Sequence, residues 1–311
     1  MTFKVAITYL IYVFTAIYLV GLSKVAFSKD AGGFSFDGQL EAFVGNDNNV
    51  VIEEIDLTTS TSDTFFTFKA KGGFDYNFDQ QHSVTAALSY TDKSYSDADR
   101  FDLQTTLSTV GYKFKHESYT INFDYRKADA ELGGNDFLVL TQISPAVSFF
   151  LTKKSFFRLA YTNIEKELVN NPVRDASSDE FGLDYYFFWN GLNDYFISSI
   201  RLRQEDAQDP IFDFQSYQLR FAYKKRFELM EYSSRLSLDA KYRTRDFDTS
   251  INPSINAFRV DKRRSLSVSN ELEVFDSLFW TLALEYVNND SNLDTASFSE
   301  TEVITGILYQ F

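Results

Sequence analysis

The chain has 311 residues, a formal net charge of -14 at pH 7 and no cysteine. That acidity argues against a nucleic-acid surface, which is basic, and the missing thiols rule out disulfide staples and thiolate sites. Aromatic residues reach 17% (33 Phe, 19 Tyr) and hydrophobic residues 44%, yet mean hydropathy is -0.25. Strands that alternate lipid-facing and polar positions give this mixture, because alternation cancels in an average.

Residues 1–28 stand apart. Lys4 supplies a positive start, Val5 to Leu22 is an apolar run, and Ala26-Phe27-Ser28 offers a small-x-small cleavage site before Lys29. The run is long enough for a spanning helix. A secretory signal is preferred, because everything downstream reads as β, with a mature chain of residues 29–311.

The first predicted strand puts Phe36, Gly38, Leu40, Ala42 and Val44 on one face and Asp37, Gln39 and Glu41 on the other. A long polar loop, residues 46–61, follows. The second strand, residues 62–78, turns through Asp79-Gln80-Gln81 into the third. Further tight turns are expected at Lys115-His116-Glu117, Thr152-Lys153-Lys154, Asn190 to Asp194, near Glu228 and at Asp276-Ser277. Longer loops alternate with them at residues 92–99, 128–135, 165–177, 204–210, 246–261 and 288–298. Pro145 lies inside the sixth strand and predicts a bulge or a broken ladder there. The count is about fourteen strands. Short turns on one side and longer loops on the other predict an all-β, transmembrane antiparallel up-and-down barrel, with the short turns in the periplasm.

The last strand carries Val303, Thr305, Ile307, Tyr309 and Phe311 on one face, and the sequence stops on that aromatic residue. In a barrel the strand pairs with the first one, and Val303, Ile307, Tyr309 and Phe311 serve as the assembly signal. A soluble sandwich ending on a strand is the competing reading. Aromatic residues favour the barrel. Tyr90, Tyr125, Tyr161, Tyr242 and Tyr286 close upward strands, while Phe78, Phe114, Phe149, Trp189, Phe227, Phe275 and Phe311 close downward ones. Two interfacial girdles result.

Catalysis finds little support. The two histidines, His82 and His116, fall at inner turns, and no phosphate loop, cofactor motif or metal-ligand spacing occurs. Asp47-Asn48-Asn49 and Asn288 to Asn292 could hold calcium through oxygens, although polar loop tips account for them too. The expected lumen is more informative. Lys69, Lys71, Arg201, Arg203, Arg220, Lys224, Arg235, Lys241 and Arg243 point inward on the alternation, as do Glu41, Glu271, Glu273, Glu285 and Glu302. One wall is basic and the adjoining wall acidic, which fits either a transverse field in a water-filled pore or cross-strand ion pairs that brace a filled one.

Asp47-Asn48-Asn49-Val50, Ser62-Asp63-Thr64-Phe65, Arg100-Phe101-Asp102, Arg263-Arg264-Ser265-Leu266 and Glu285 to Asn292 occur in order. On these motifs, over most of residues 40 to 311, the chain resembles the C-terminal barrel of surface lipoprotein assembly modifier proteins and related tetratricopeptide-repeat outer-membrane proteins. The resemblance implies a barrel that helps lipoproteins reach the cell surface, behind a periplasmic repeat domain; here a short segment separates the apolar leader from the first strand. The leading expectation is a non-enzymatic, porin-like channel for small polar solutes in a Gram-negative outer membrane. An export or assembly barrel for a surface lipoprotein or polysaccharide, and a plugged structural barrel, are the alternatives. Expected partners are outer-membrane lipid and the barrel assembly machinery, with a periplasmic repeat protein or surface lipoprotein for the export reading; nucleic acid is excluded.

Overall fold

The computed structural model describes residues 33–311, so the signal segment and its cleavage site lie outside the described residues. The strands in chain order are β1 (Phe34–Asp47), the short β2 (Val51–Ile52) and β3 (Leu57–Thr58), β4 (Asp63–Asn77), β5 (His82–Tyr95) and β6 (Leu103–Lys115). They continue with β7 (Thr120–Leu132), β8 (Asn135–Thr152), β9 (Ser155–Leu168), β10 (Ala176–Phe188) and β11 (Asp194–Ala207). The last are β12 (Phe214–Leu229), β13 (Tyr232–Asn252), β14 (Ala257–Phe275), β15 (Leu278–Ser291) and β16 (Phe298–Gln310). All but β2 and β3 close into one antiparallel barrel of fourteen strands, each paired with its sequence neighbour. β16 returns to β1 from Gln39↔Gln310 to Asp47↔Glu302. Closure removes every strand edge, which a hydrocarbon environment requires because it offers no partner for an orphaned N–H or C=O.

Period-two alternation fixes which residues face out. Phe36, Leu88, Phe181, Phe221, Leu266 and Trp280 form an exposed outer belt. Opposite parity sends Lys69, Arg220, Arg235 and Glu271 to the lumen, where acid–base contacts receive them.

The loops depart from expectation. Those predicted at residues 128–135 and 246–261 are almost wholly strand. β7 and β8 meet in a tight turn at Gly133 and Gly134, both with positive φ (57° and 75°), which glycine adopts without steric cost. Polar residues such as Asp129 and Asp248 look like loop in hydropathy. Past the membrane, however, water satisfies side chains on both faces and the ladder simply continues. Pro145 breaks the ladder without a bulge: pairing of β8 with β9 lapses between Ile143↔Asn163 and Ala146↔Ala160, and the register is the same on both sides.

Orientation can be checked in the cysteine-free background. Single cysteines at Asp97 or Asn170 should label in intact cells with an impermeant reagent. Cysteines at Gln80 or Lys153 should label only after the outer membrane is opened. The reverse pattern would invert the barrel.

Candidate functional site

The connection between β1 and β4, residues 48–62, is the part of the molecule that the alternation did not describe. It was expected to be a polar outer loop. Instead it forms a small hairpin, β2 paired with β3, whose tip is a 3-10 turn at Glu53–Ile55. We call it L1. Asp56 closes the tip in a left-handed conformation (φ 52°), with its N–H donated to the Glu53 carbonyl at 3.3 Å. Glu53 and Asp56 therefore stand together at the end of the loop.

L1 folds into the barrel mouth because of its apolar residues. Val50 and Ile52 are buried with Phe65, Tyr95 and Phe101, and Ile55, Leu57, Leu132, Phe137 and Ile304 pack around them. Phe65 and Tyr95 are inward positions of β4 and β5, so the upper lumen contains an apolar lining that the loop covers. Asp47-Asn48-Asn49 pins its base. The Asp47 carboxylate accepts the Asn49 N–H at 3.0 Å and the Tyr95 hydroxyl at 3.2 Å. Asn48 exchanges hydrogen bonds with Thr301, and the Asn49 amide donates to the Ser299 carbonyl at 3.0 Å. Asp47, Glu300 and Glu302 bring carboxylate oxygens within 4.8 Å of one another. Since Lys93 pairs with Glu302 at 2.5 Å, and Asp47 has the two donors just named, the cluster works as a hydrogen-bonded base for the loop.

At the tip, Glu53 accepts from Arg243 and Arg263, and from Arg245 at 2.6 Å. Asp56 receives both terminal nitrogens of Arg259, at 2.7 and 3.0 Å, and Arg174 at 2.7 Å. Arg174 also donates to the Glu54 carbonyl at 2.7 Å. It lies between β9 and β10, half-way round the ring from β1 and β4, so L1 crosses the mouth to the opposite wall. Burial alone would raise the Asp56 carboxyl; the hydrogen bonds and charge of Arg259, then those of Arg174, outweigh it and hold the acid below its ordinary range.

Most of the remaining lumen charges are paired locally. Arg201 meets Asp184 at 2.6 Å and Glu180 at 3.6 Å, and Arg203 meets Glu205 at 2.6 Å. Asp239 receives Arg220 at 2.5 Å and Lys241 at 3.7 Å, and Lys224 donates to Ser237. Arg235 reaches Glu271 at 3.6 Å, Lys69 reaches Glu41 at 3.5 Å, and Glu273 accepts the Ser277 N–H at 3.5 Å. Lys71 is exposed, and Glu285 sits opposite Glu302 in the register. The basic wall is thus threaded with its own acids, Asp184, Glu205 and Asp239, and the acidic wall is not its main counter-charge.

Four of the other outer loops are tied down by a side-chain cap. Asp102, Asp175 and Asp213 each follow a one-turn 3-10 helix, and each side chain accepts, at 2.7 Å, the N–H of the residue that ends the preceding strand: Tyr95, Leu168 and Ala207. Ser297 does the same for Ser291 at 3.0 Å. Asn292 likewise ties its loop down, through Val260 and Phe258, instead of presenting oxygens to an ion. At the inner turns, His82 meets the Tyr112 hydroxyl at 2.6 Å and His116 stacks on Tyr119.

Residues 46–311 match the surface lipoprotein assembly modifier family. The chain belongs to that family. Among solved structures it is similar to an anion-selective porin from Comamonas acidovorans, at 9% identity and a TM-score of 0.54, covering 89% of this chain and 99% of that one. It is also similar to a loop L8 deletion mutant of OmpT, an outer membrane protein of Vibrio cholerae, at 9% identity and a TM-score of 0.53, covering 91% and 100%. At such identities the likeness shows the fold. No curated protein matches the sequence. This surface lipoprotein assembly modifier family member is a closed β-barrel of the Gram-negative outer membrane, in contact with its lipid. Of the motifs that carry the resemblance, Asp47 to Val50 is the base of L1 and Arg263 pairs with Glu53, while Asp63 accepts the N–H groups of Asp97 and Ala98 and Asp102 closes that neighbouring loop.

Sequence reading missed Arg174, Arg245, Arg259 and the two tip acids. A signal was present in Val50-Val51-Ile52, too apolar for an exposed tip, and in Phe65-Phe66, where one of two adjacent aromatics must face inward.

Proposed function

We propose that the barrel is a porin-like channel for small polar solutes whose outer mouth is held shut by L1. The observation that carries this is the contrast between the two ends of the lumen. On the inner side Asp37 and Lys113, and at mid-height Lys71 and Arg126, project inward by parity and are exposed. On the outer side L1 is latched across the opening by guanidinium–carboxylate pairs. A charged vestibule beneath a cover held by ion pairs is the layout of a gated pore. The test is bilayer recording of the wild type beside a variant with residues 51–58 replaced by a Gly-Ser linker. Rare openings from the first and steady conductance from the second are expected. Silence from both would leave a plugged structural barrel.

Ion selectivity follows from the pairs below the latch. With L1 replaced, Arg220→Gln with Arg235→Gln strips the counter-charge from Asp239 and Glu271. The reversal potential in a salt gradient should then move toward cations. The shift should shrink as the screening length falls from about 10 Å at 0.1 M to about 3 Å at 1 M.

A second reading is an export or assembly barrel for a surface lipoprotein, with a periplasmic repeat protein as its partner. Family membership over residues 46–311 favours it. Protease shaving of cells that co-express the barrel and a candidate lipoprotein separates the two. Surface exposure that requires the barrel, with no conductance from the loop variant, would select export.

A further inference from the structure

We propose that the arginines that grip L1 form a binding site for a carboxylate-bearing solute, and that Glu53 and Asp56 occupy it as a built-in competitor. The inference deepens the channel reading and rests on it for the route by which a solute arrives.

The first support is that the cradle is built independently of the loop. Arg259 holds Asp261 through two nitrogens, at 3.0 and 2.8 Å, while its guanidinium lies 4.6 Å over the Phe247 ring. Arg245 lies 5.1 Å over Phe214, Arg263 5.6 Å over Phe298, and Arg174 4.2 Å over Phe212. None of these partners belongs to L1. Aromatic faces and a wall acid therefore aim the guanidinium groups into the lumen whether or not the loop is present, so departure of L1 leaves a formed site.

The second support is charge and space. Wall acids in direct contact with the cradle are Asp261 and Glu205, and they are outnumbered by the arginines together with Lys166, which pairs with Glu205. Glu53 and Asp56 offset part of that excess. A cavity of about 120 Å³ lies beside them, lined by Arg174, Arg203, Arg245 and Arg259 and by the acids Glu53, Glu54, Asp56 and Glu205. By the same measure one water needs about 10–15 Å³, so a small anion fits. The Nε atoms of Arg174 and Arg203 are buried there without a hydrogen-bond partner. Buried donors of this kind carry a desolvation cost that an arriving oxygen would relieve.

The third support is the chemistry of the present occupants. Planar guanidinium forks match planar carboxylates through paired N–H···O contacts, as Arg259 and Asp56 do here. Two carboxylates reach the cradle from one tight turn, so a short dicarboxylate is the natural probe.

The full-length chain with Thr61→Cys, labelled with a nitroxide, reports L1 directly. Succinate should mobilise the label saturably at fixed ionic strength, and chloride should not. Calorimetric titration gives the sharper result: Glu53→Gln with Asp56→Asn should bind succinate at least ten times more tightly than wild type, because the competitor is gone. Arg243→Gln with Arg263→Gln should bind it at least ten times more weakly. Unchanged or weaker binding by the acid-neutralised variant, or equal mobilisation by chloride, would overturn the proposal. Should that variant fail to give the heat-modifiable folded form, the Gly-Ser replacement of residues 51–58 supplies the same comparison. Tighter succinate binding in a barrel that never conducts would sink the channel reading and leave the site. Conductance indifferent to succinate, with no binding, would do the opposite.

Discussion

Deletion of Phe311 is expected to remove the folded, heat-modifiable barrel from the outer membrane while the chain still reaches the periplasm. Gly38 and Phe311 exchange two backbone hydrogen bonds, Gly38 N–H to the Phe311 carbonyl at 2.9 Å and Phe311 N–H to the Gly38 carbonyl at 3.0 Å. These are the last rungs of the β1–β16 seam. The ring then lies across Gly38, where a Cβ would come within 2.1 Å of it, and beside Phe36 and Tyr309, with centroids 6.2 and 5.8 Å away. Loss of the residue orphans both Gly38 groups, at roughly 1–3 kcal/mol each where water is scarce. It also removes the interfacial aromatic anchor. Gly38→Val isolates the packing contribution, because the seam keeps its length while the ring is displaced; a partial loss of folded barrel is expected. Tyr309→Asp places an anion near the interface and should fall between the two. Wild-type levels of folded barrel in the deletion and in Gly38→Val would refute the role of the terminal strand.

The barrel itself was legible because lipid and water impose opposite demands on alternate residues. Parity therefore assigned Phe221 and Leu266 outward and Arg220 and Arg235 inward before any contact was known. Strand number and the β1–β16 closure followed from the same rule. Loop lengths were not legible, since polar residues such as Asp129 and Asp248 obey no lipid constraint and their ladder pairing leaves no hydropathy trace. The latch escaped for a different reason. Its contacts join residues far apart in the chain, Glu53 to Arg263 and Asp56 to Arg174 and Arg259, and alternation carries no information about which loop enters the lumen. Of these residues only Arg263 falls in a motif of the family resemblance, within Arg263-Arg264-Ser265-Leu266.

Arg259→Gln is expected to release L1 at neutral pH. Arg259 is 3% exposed and bridges Asp56 of the loop to Asp261 of the wall. Removing one member of a buried pair typically costs about 3–5 kcal/mol, because the partner stays charged without compensation. Here two acids lose the same partner, and expulsion of Asp56 with the loop relieves both. Arg174→Gln should do less: Arg174 is more exposed, at 16%, and Arg259 still holds the acid. The pH dependence distinguishes this account from general loosening. In the wild type the Asp56 carboxyl lies below its ordinary value, so its contribution is complete above an unfolded value of about 3.9 and fades only as pH falls through the lower folded one. Latching should therefore be flat from pH 7 to pH 5 and weaken near pH 3. In Arg259→Gln the sign reverses. Buried with Arg174 as its one remaining guanidinium partner, Asp56 takes up a proton more readily, so mild acid should draw the loop back in. A nitroxide at Thr61→Cys followed at pH 7, 5 and 3 reads both curves, and equal mobility of the variant and the wild type at pH 7 would show that Arg259 does not hold the latch.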